Sequence, residues 1–223
     1  KEYYSHTEGC EVKVIPYVWN EKFIKDEEKR RGMDLSYKPI VRPNIAVCEP
    51  NLNISKNFFP PLMSICHLLE HNNKVFDEAY IYCAQKRAQD PGITAHILNH
   101  TAVGENPKRV FFENRQRFTT ILQDDSPIIL SFQHLNALNY IYLEALFYGH
   151  PLVHNSEFFK DYGYYYEGFN IIQAAKQVEH AAANHAGNID SYIQQGKEII
   201  NKYHSKNPVN IENTKKLVLD LVK

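Results

Sequence analysis

The 223-residue chain is 43% hydrophobic, enough to fill the core of one large domain or two small ones, and its formal net charge of −1 provides no basic field to gather nucleic acid or an anionic membrane surface. No apolar run approaches the roughly 20 residues that span a bilayer, and the opening "KEYYSHTEGC" lacks the apolar core of a signal peptide. Four cysteines at 10, 48, 66 and 83 form no CxxC pair and three lie in apolar runs, which indicates a reducing, cytoplasmic setting in which the sequons at Asn53 and Asn99 are chance occurrences.

The chain opens without methionine on a strand pattern, "EVKVIPYVW", as an excised domain would. A charged helix in "NEKFIKDEEKRRG" with Gly32 at its end and a connector, "MDLSYKPIVRPN", bring the first boundary to about residue 43. From there strands and helices alternate. "NIAVCEP" reads as a strand, and "SKNFFPPLMSICHLLEHNN" as a helix after its prolines. "EAYIYCAQ", an ill-defined segment to about residue 95, the short apolar pieces "AHILNH" and "KRVFFEN", and a helix in "RQRFTTILQDD" follow. The buried-type strand "SPIILSFQH", a helix over 138–148 and the strand "PLVHNS" complete the alternation. From Asn170 the pattern is helical in three segments, "NIIQAAKQVEHAAANH", "NIDSYIQQGKEIINKYHS" and "NIENTKKLVLDLVK", each opened by an asparagine placed to cap it.

Apolar strands without strict alternation, separated by helix-length segments, predict an α/β fold: a Rossmann-like, doubly wound parallel sheet of about six strands with helices on both faces. The expected division is residues 1–42 as strand, helix and connector, and 43–223 as the Rossmann-like domain with C-terminal helices.

In such a sheet, ligands bind beyond the carboxyl ends of the strands, where helix N-termini offer free N–H groups and partial positive charge. "SPIILSFQH" ends there, so His134, Asn136 and Asn139 fall in the loop and first turn. Glu144 follows roughly 7 Å further along the helix at about 1.5 Å per residue. Phosphate at the turn and a carboxylate deeper down for hydroxyl hydrogen bonds would suit a nucleoside diphosphate and its ribose. A solvated Glu144 on the outer face, with the asparagines serving only as caps, is the plainer alternative from these residues alone.

The stretch "SFQHLNALNYIYLEALFYGHPLVHNS" resembles the donor-site signature of retaining glycosyltransferases with the GT-B fold. In that family a strand ending in Ser is followed by a Glu, a Gly-Phe-Gly turn, a second Glu eight residues after the first, then Ala, a Gly-x-Pro turn and a strand. Ser131, Glu144, Ala145, Gly149 and Pro151 keep that order, and Glu144 takes the second Glu's place. The resemblance covers most of residues 44–203. It places "EPNLNISKN", with Asn53, in the first strand-to-helix loop, where Lys56 matches the family's pyrophosphate lysine. "SEFFKDYGYYYEGF" resembles the family's turn-rich loop, and "VKVIPYVWNEKF" the strand joining two GT-B domains. The chain is similar throughout to a group of glycosyltransferase-like proteins carrying "PYVW", "EPN", "NALNYIYLEAL" and "LVHNS".

The departures are specific. Asn136 stands where the first Glu would be, Asn139 replaces a turn glycine, and Asn51 replaces the pyrophosphate arginine, for which Arg115 or Arg117 is a candidate substitute. The resemblance thus implies a donor-binding set of Lys56, Asn51, Asn53, Arg115, His134, Asn136, Asn139, Tyr140, Glu144 and His154, with Asn155 also at the cleft. It implies a nucleoside-diphosphate sugar as donor substrate, no further cofactor, no metal, a glycan or other acceptor, and an N-terminal GT-B domain of the same polypeptide that shares the catalytic groups. Transfer would be retaining.

Two further readings compete. A stand-alone sugar-nucleotide-binding or scaffolding module would carry the same residues without catalysis. His67-Leu-Leu-Glu-His71 fits H-x-x-E-H, in which two histidines one helical turn apart bind zinc and a glutamate activates water, but it needs a third ligand and falls at the wrong end of its helix. The tyrosine cluster "DYGYYYEGF" is either a sugar-stacking platform or ordered packing, and His96 and His100 in "HILNHT" either approach the base pocket or belong to core and rim. No Walker, G-x-G-x-x-G or G-x-S-x-G motif occurs.

Overall fold

The computed structural model describes residues 12–95 and 101–221 with positions 6, 9 and 99, and among these residues six strands form one parallel sheet in the order β3-β2-β1-β4-β5-β6. They are β1 (Ile45–Val47), β2 (Ala79–Ile81), β3 (Val110–Phe112), β4 (Ile128–Leu130), β5 (Leu152–His154) and β6 (Tyr164–Tyr165). The longer helices are α1 (Lys22–Arg31), α2 (Phe59–His71), α3 (Phe118–Asp125), α4 (Tyr140–Phe147), α5 (Ile171–Asn184), α6 (Ile189–Tyr203) and α7 (Pro208–Leu221). This is the expected doubly wound α/β sheet.

Register explains why the strands show no alternation in sequence. Ile45 pairs with both Ala79 and Ile128, and successive side chains leave on opposite faces. Ile45, Val47, Ile128, Leu130 and Val153 pack against Leu62, Ile65 and Leu68 of α2 and Ala174 and Val178 of α5. Ala46, Ile129 and Leu152 pack on the other face against Ile121 of α3, Leu143 and Leu146 of α4, and Tyr192 and Ile199 of α6. Both faces being buried, every position of the central strands β1 and β4 is apolar.

Several elements differ from the sequence reading. The N-terminal strand does not form: residues 12–18 join no ladder, and only Trp19 pairs, in a parallel bridge with His204. Pro16 has no N–H to give a ladder. Trp19 is nonetheless 6% exposed, its ring 5.6 Å from that of Phe147, and with Ile24 and Leu35 it completes the second core. Helix α2 takes Pro60 and Pro61 into its first turn, where amide hydrogens lack partners anyway. Helix α3 starts only at Phe118, so Arg115 and Arg117 precede it.

Of the three asparagines placed as caps, Asn170 accepts from the Gln173 N–H at 2.9 Å, Asn188 makes no side-chain cap, and Asn210 lies inside α7. Asn207 does that work for α7, accepting from the Val209 N–H at 2.9 Å. Within the tyrosine cluster, Tyr164 and Tyr165 form β6, while the buried Tyr166 donates to the Ser131 carbonyl at 2.8 Å. The cluster therefore supplies the edge strand, with Tyr166 buried behind it.

The turn into β6 depends on Gly163. Its φ of +71° disfavours any L side chain, and a Cβ there would lie 2.8 Å from the Leu152 carbonyl oxygen. Gly163→Ala is expected to destabilise the domain by about 2–4 kcal/mol and to lower its melting temperature by about 5–15 °C. Gly168→Ala has φ +53° but open space around it and should cost about 1 kcal/mol. Equal melting temperatures for the two variants would rule out the contact with Leu152.

Candidate functional site

The chain runs from β1 outward to β2 and β3, then returns to start β4 on the other side of β1. The order reverses between β1 and β4, and the crevice outside their carboxyl ends is where open α/β sheets take ligands. Loops from four strand ends meet there around a cavity of about 1110 Å³. Cys48, Pro50 and Lys56 come from the loop after β1, Tyr82 and Cys83 follow β2, Arg115 and Arg117 follow β3, and Asn139 and Glu144 come from α4 and its cap. Phe23, Ile24 and Glu27 of α1 form an opposing wall.

Four of the residues expected from sequence, Lys56, Arg115, Asn139 and Glu144, thus share one cavity. Asn139 caps α4, its side-chain oxygen accepting from the Ile141 N–H at 3.3 Å. The partial positive charge of that helix end faces the site. Glu144 lies on the next turn, where burial, with Glu27 adding repulsion, pushes its carboxyl up to about 7. Lys56 is partly buried and donates to the Leu138 carbonyl at 2.9 Å. Burial holds its ammonium below the usual lysine range, against the pull of Glu49. The two candidate arginines separate clearly. Arg117 is paired with Glu27 at 3.1 Å, whereas among the described residues no ion pair or hydrogen bond engages Arg115.

The other expected residues are placed elsewhere. Asn51, 8% exposed with φ +56°, donates to the carbonyls of Glu49, Tyr82 and Cys83 and accepts from the Phe58 N–H at 2.8 Å, so its amide is engaged with loop backbone. Asn53 accepts from the Ser55 N–H at 3.0 Å and lines a neighbouring cavity with Phe59, Arg87 and Phe169. Asn136 is exposed, His134 is held through its N–H to the Ser55 carbonyl, and Tyr140 meets Tyr17 in a tilted ring contact with centroids 4.8 Å apart. His154 is fully buried, bonded to the Tyr162 carbonyl and the Ser156 N–H, and burial holds it down to about 4. Asn155 is buried too, bonding Gln133 on both sides of its amide and the Gly168 carbonyl. His154 and Asn155 hold the strand ends together from inside the fold.

His67 and His71 stack at 4.2 Å toward the end of α2, at the amino edge of the sheet, and His71 bonds the His67 carbonyl. Among the described residues no three His, Cys, Asp or Glu side chains group to hold a metal. His96 and His100 lie outside the described residues.

Sequence reasoning missed Glu49. It lies two residues beyond the end of β1, is 2% exposed, and accepts from the Ser131 hydroxyl and from the Phe132 N–H at 3.1 Å. Burial pushes its carboxyl up to about 7. The available signal was an acidic residue closing the apolar run in "IAVCEP".

Raised carboxyl values set the sign of a stability change. Folding favours the protonated form of Glu144, so its contribution is fully present below about pH 4.5 and is lost as pH rises through about 7. Glu144→Gln is therefore expected to leave stability nearly unchanged at pH 4.5 and to raise it by about 2–3 kcal/mol at pH 8. Urea denaturation at the two pH values measures this, and a gain that is the same at both would remove the desolvated carboxylate as its cause.

No curated protein matches the chain. Among solved structures, the crystal structure of TarM superposes with a TM-score of 0.57 and 18% identity, covering 85% of this chain and 38% of TarM. The likeness is one of fold, and this chain spans well under half of TarM's length. The family described as "Protein of unknown function (DUF2827)" matches residues 1–218, and the chain belongs to that family.

Proposed function

We propose that the chain is the donor-binding part of a glycosyltransferase of GT-B type, holding a nucleoside-diphosphate sugar in the cavity at the carboxyl ends of β1–β4. The observation that carries this reading is the convergence of Lys56, Arg115, Asn139 and Glu144 on one cavity at the switch point of the sheet. Anionic and hydroxyl-bearing parts of one ligand would meet the complementary groups in that order. Among the described residues, neither Lys56 nor Arg115 has a hydrogen-bonded carboxylate partner, which suits them to the two phosphates. The N-terminus of α4 adds backbone N–H groups, and Glu144 one turn deeper would accept from ribose hydroxyls.

In transfer, negative charge grows on the leaving diphosphate as the glycosidic bond breaks. Groups already fixed around it stabilise that charge without reorganising. Lys56, Arg115 and the α4 terminus would supply this stabilisation, and the resemblance adds retention of configuration and independence of metal. The acceptor and the remaining reaction-centre groups would come from an N-terminal domain joined through residues 1–42. The fold of TarM supports the same assignment.

Calorimetric titration with UDP-, GDP- and dTDP-linked sugars tests the donor site. One of them is expected to bind, Lys56→Ala and Arg115→Ala each to weaken it by about 10- to 150-fold, and Glu144→Ala to weaken it with the diphosphate alone less affected than the nucleoside. If no nucleotide binds, the reading fails. In the complete polypeptide, Lys56→Ala should lower kcat by a similar factor while EDTA leaves the rate unchanged. Loss of activity in EDTA with rescue by zinc would direct attention back to His67 and His71.

A further inference from the structure

Glu49 is buried at the junction of β1 and β4, and only one of its carboxylate oxygens is satisfied. Oε1 accepts from the Ser131 hydroxyl and the Phe132 N–H, while Oε2 has no hydrogen-bond partner among the described residues. An ionised oxygen buried without a donor is costly, and the usual relief is a proton. The carboxylate is also wired to the candidate site by two routes. The Ser131 hydroxyl meets the Tyr142 hydroxyl at 2.8 Å, and the Tyr142 N–H donates at 3.1 Å to Asn139, the cap of α4. Lys56, in the loop after β1, is the cation that acts on Glu49 electrostatically.

We propose that Glu49 is a positioning residue whose protonation is coupled to occupation of this site: when a diphosphate engages Lys56, the buried carboxylate takes up a proton from solvent. The inference rests on the diphosphate reading of the cavity. An arriving diphosphate draws the lysine's field to itself and brings negative charge closer to Glu49, and both changes favour the neutral acid. The proton goes to the orphaned oxygen and no other bond changes. The neutral acid keeps Oε1 as acceptor for Ser131 and Phe132, so the cap of α4 stays in place.

Other groups around Glu49 do not titrate in the relevant range. Cys48 beside it, Cys83 after β2, Tyr142 on α4 and Tyr166 after β6 are all held above their ordinary values by burial and are neutral near pH 7. Glu49 itself lies at about 7, so uptake is largest near neutrality.

The test is calorimetric titration of UDP-glucose, GDP-mannose and dTDP-glucose at pH 7 in PIPES and in imidazole, whose different ionisation enthalpies reveal protons exchanged on binding. These diphosphate diesters carry no phosphate that titrates there. Glu49→Gln keeps the acceptor for Ser131 and removes the titration. Wild type is expected to take up about half a proton more than Glu49→Gln on binding the same ligand, with any contribution from Glu144 common to both. Equal proton numbers in the two proteins overturn the coupling while leaving the binding site standing. Absence of binding by all three sugars removes the diphosphate reading and the coupling together. Should Glu49→Gln fail to fold, Ser131→Ala withdraws the hydroxyl that favours the ionised form and is expected to move the uptake maximum to higher pH. A maximum that stays in place overturns the proposal equally.

Discussion

The structure turns on the pairing of β1 with β4, because each is only three residues long and each has a strand on both sides and helices on both faces. A parallel strand so enclosed must be apolar throughout, and its polar demands are displaced to its carboxyl end. There the chain must satisfy buried backbone without a ladder. It does so with side-chain carboxylates and amides: Glu49 takes the Phe132 N–H, Asn155 takes the Gln133 N–H and returns a donor to the Gln133 carbonyl, and Asn51 serves three carbonyls of the β1 and β2 loops. The floor of the crevice is a hydrogen-bonded lattice of loop ends.

That lattice separates two kinds of polar residue that look alike in sequence. Asn51 and Asn139 both sit between a strand and a helix, yet one is bonded on every side and the other caps a helix at the cavity wall. The difference arises from where the next loop lies. Asn51 has the end of β2 beside it, with carbonyls pointing at its amide. Asn139 has space in front of it.

The sheet was legible in the sequence because enclosed strands write themselves as short unbroken apolar runs between helix-length segments. β1, β2, β4 and β5 all do so. β6 escaped because two tyrosines between turns carry no period, and its strand character comes from pairing with Val153 and His154. The N-terminal strand was expected from the apolar, β-branched pattern of "EVKVIPYVW", but such a pattern cannot supply a neighbour to bond with. Within the site, Lys56, Arg115, Asn139 and Glu144 were readable because strand ends and helix starts fix the edge on which they stand. The roles of Glu49 and His154 were not, since each depends on a contact made across the fold. Glu49 meets a serine 82 residues away, and His154 lies under the loop carrying Tyr162.

The bridge between Trp19 and His204 gives the domain a mechanical seam. Trp19 donates to the Tyr203 carbonyl at 2.7 Å and accepts from the Ser205 N–H at 2.8 Å, so the segment leading into α1 is fastened to the segment leaving α6. Because the two run parallel, tension applied ahead of Trp19 loads both hydrogen bonds in shear, and they must yield together. Two residues upstream, Tyr17 rests on Tyr140 at the start of α4 and on Tyr203 at the end of α6. A pull on the segment therefore reaches the helix that carries Glu144 through Tyr17 before it reaches the bridge at Trp19.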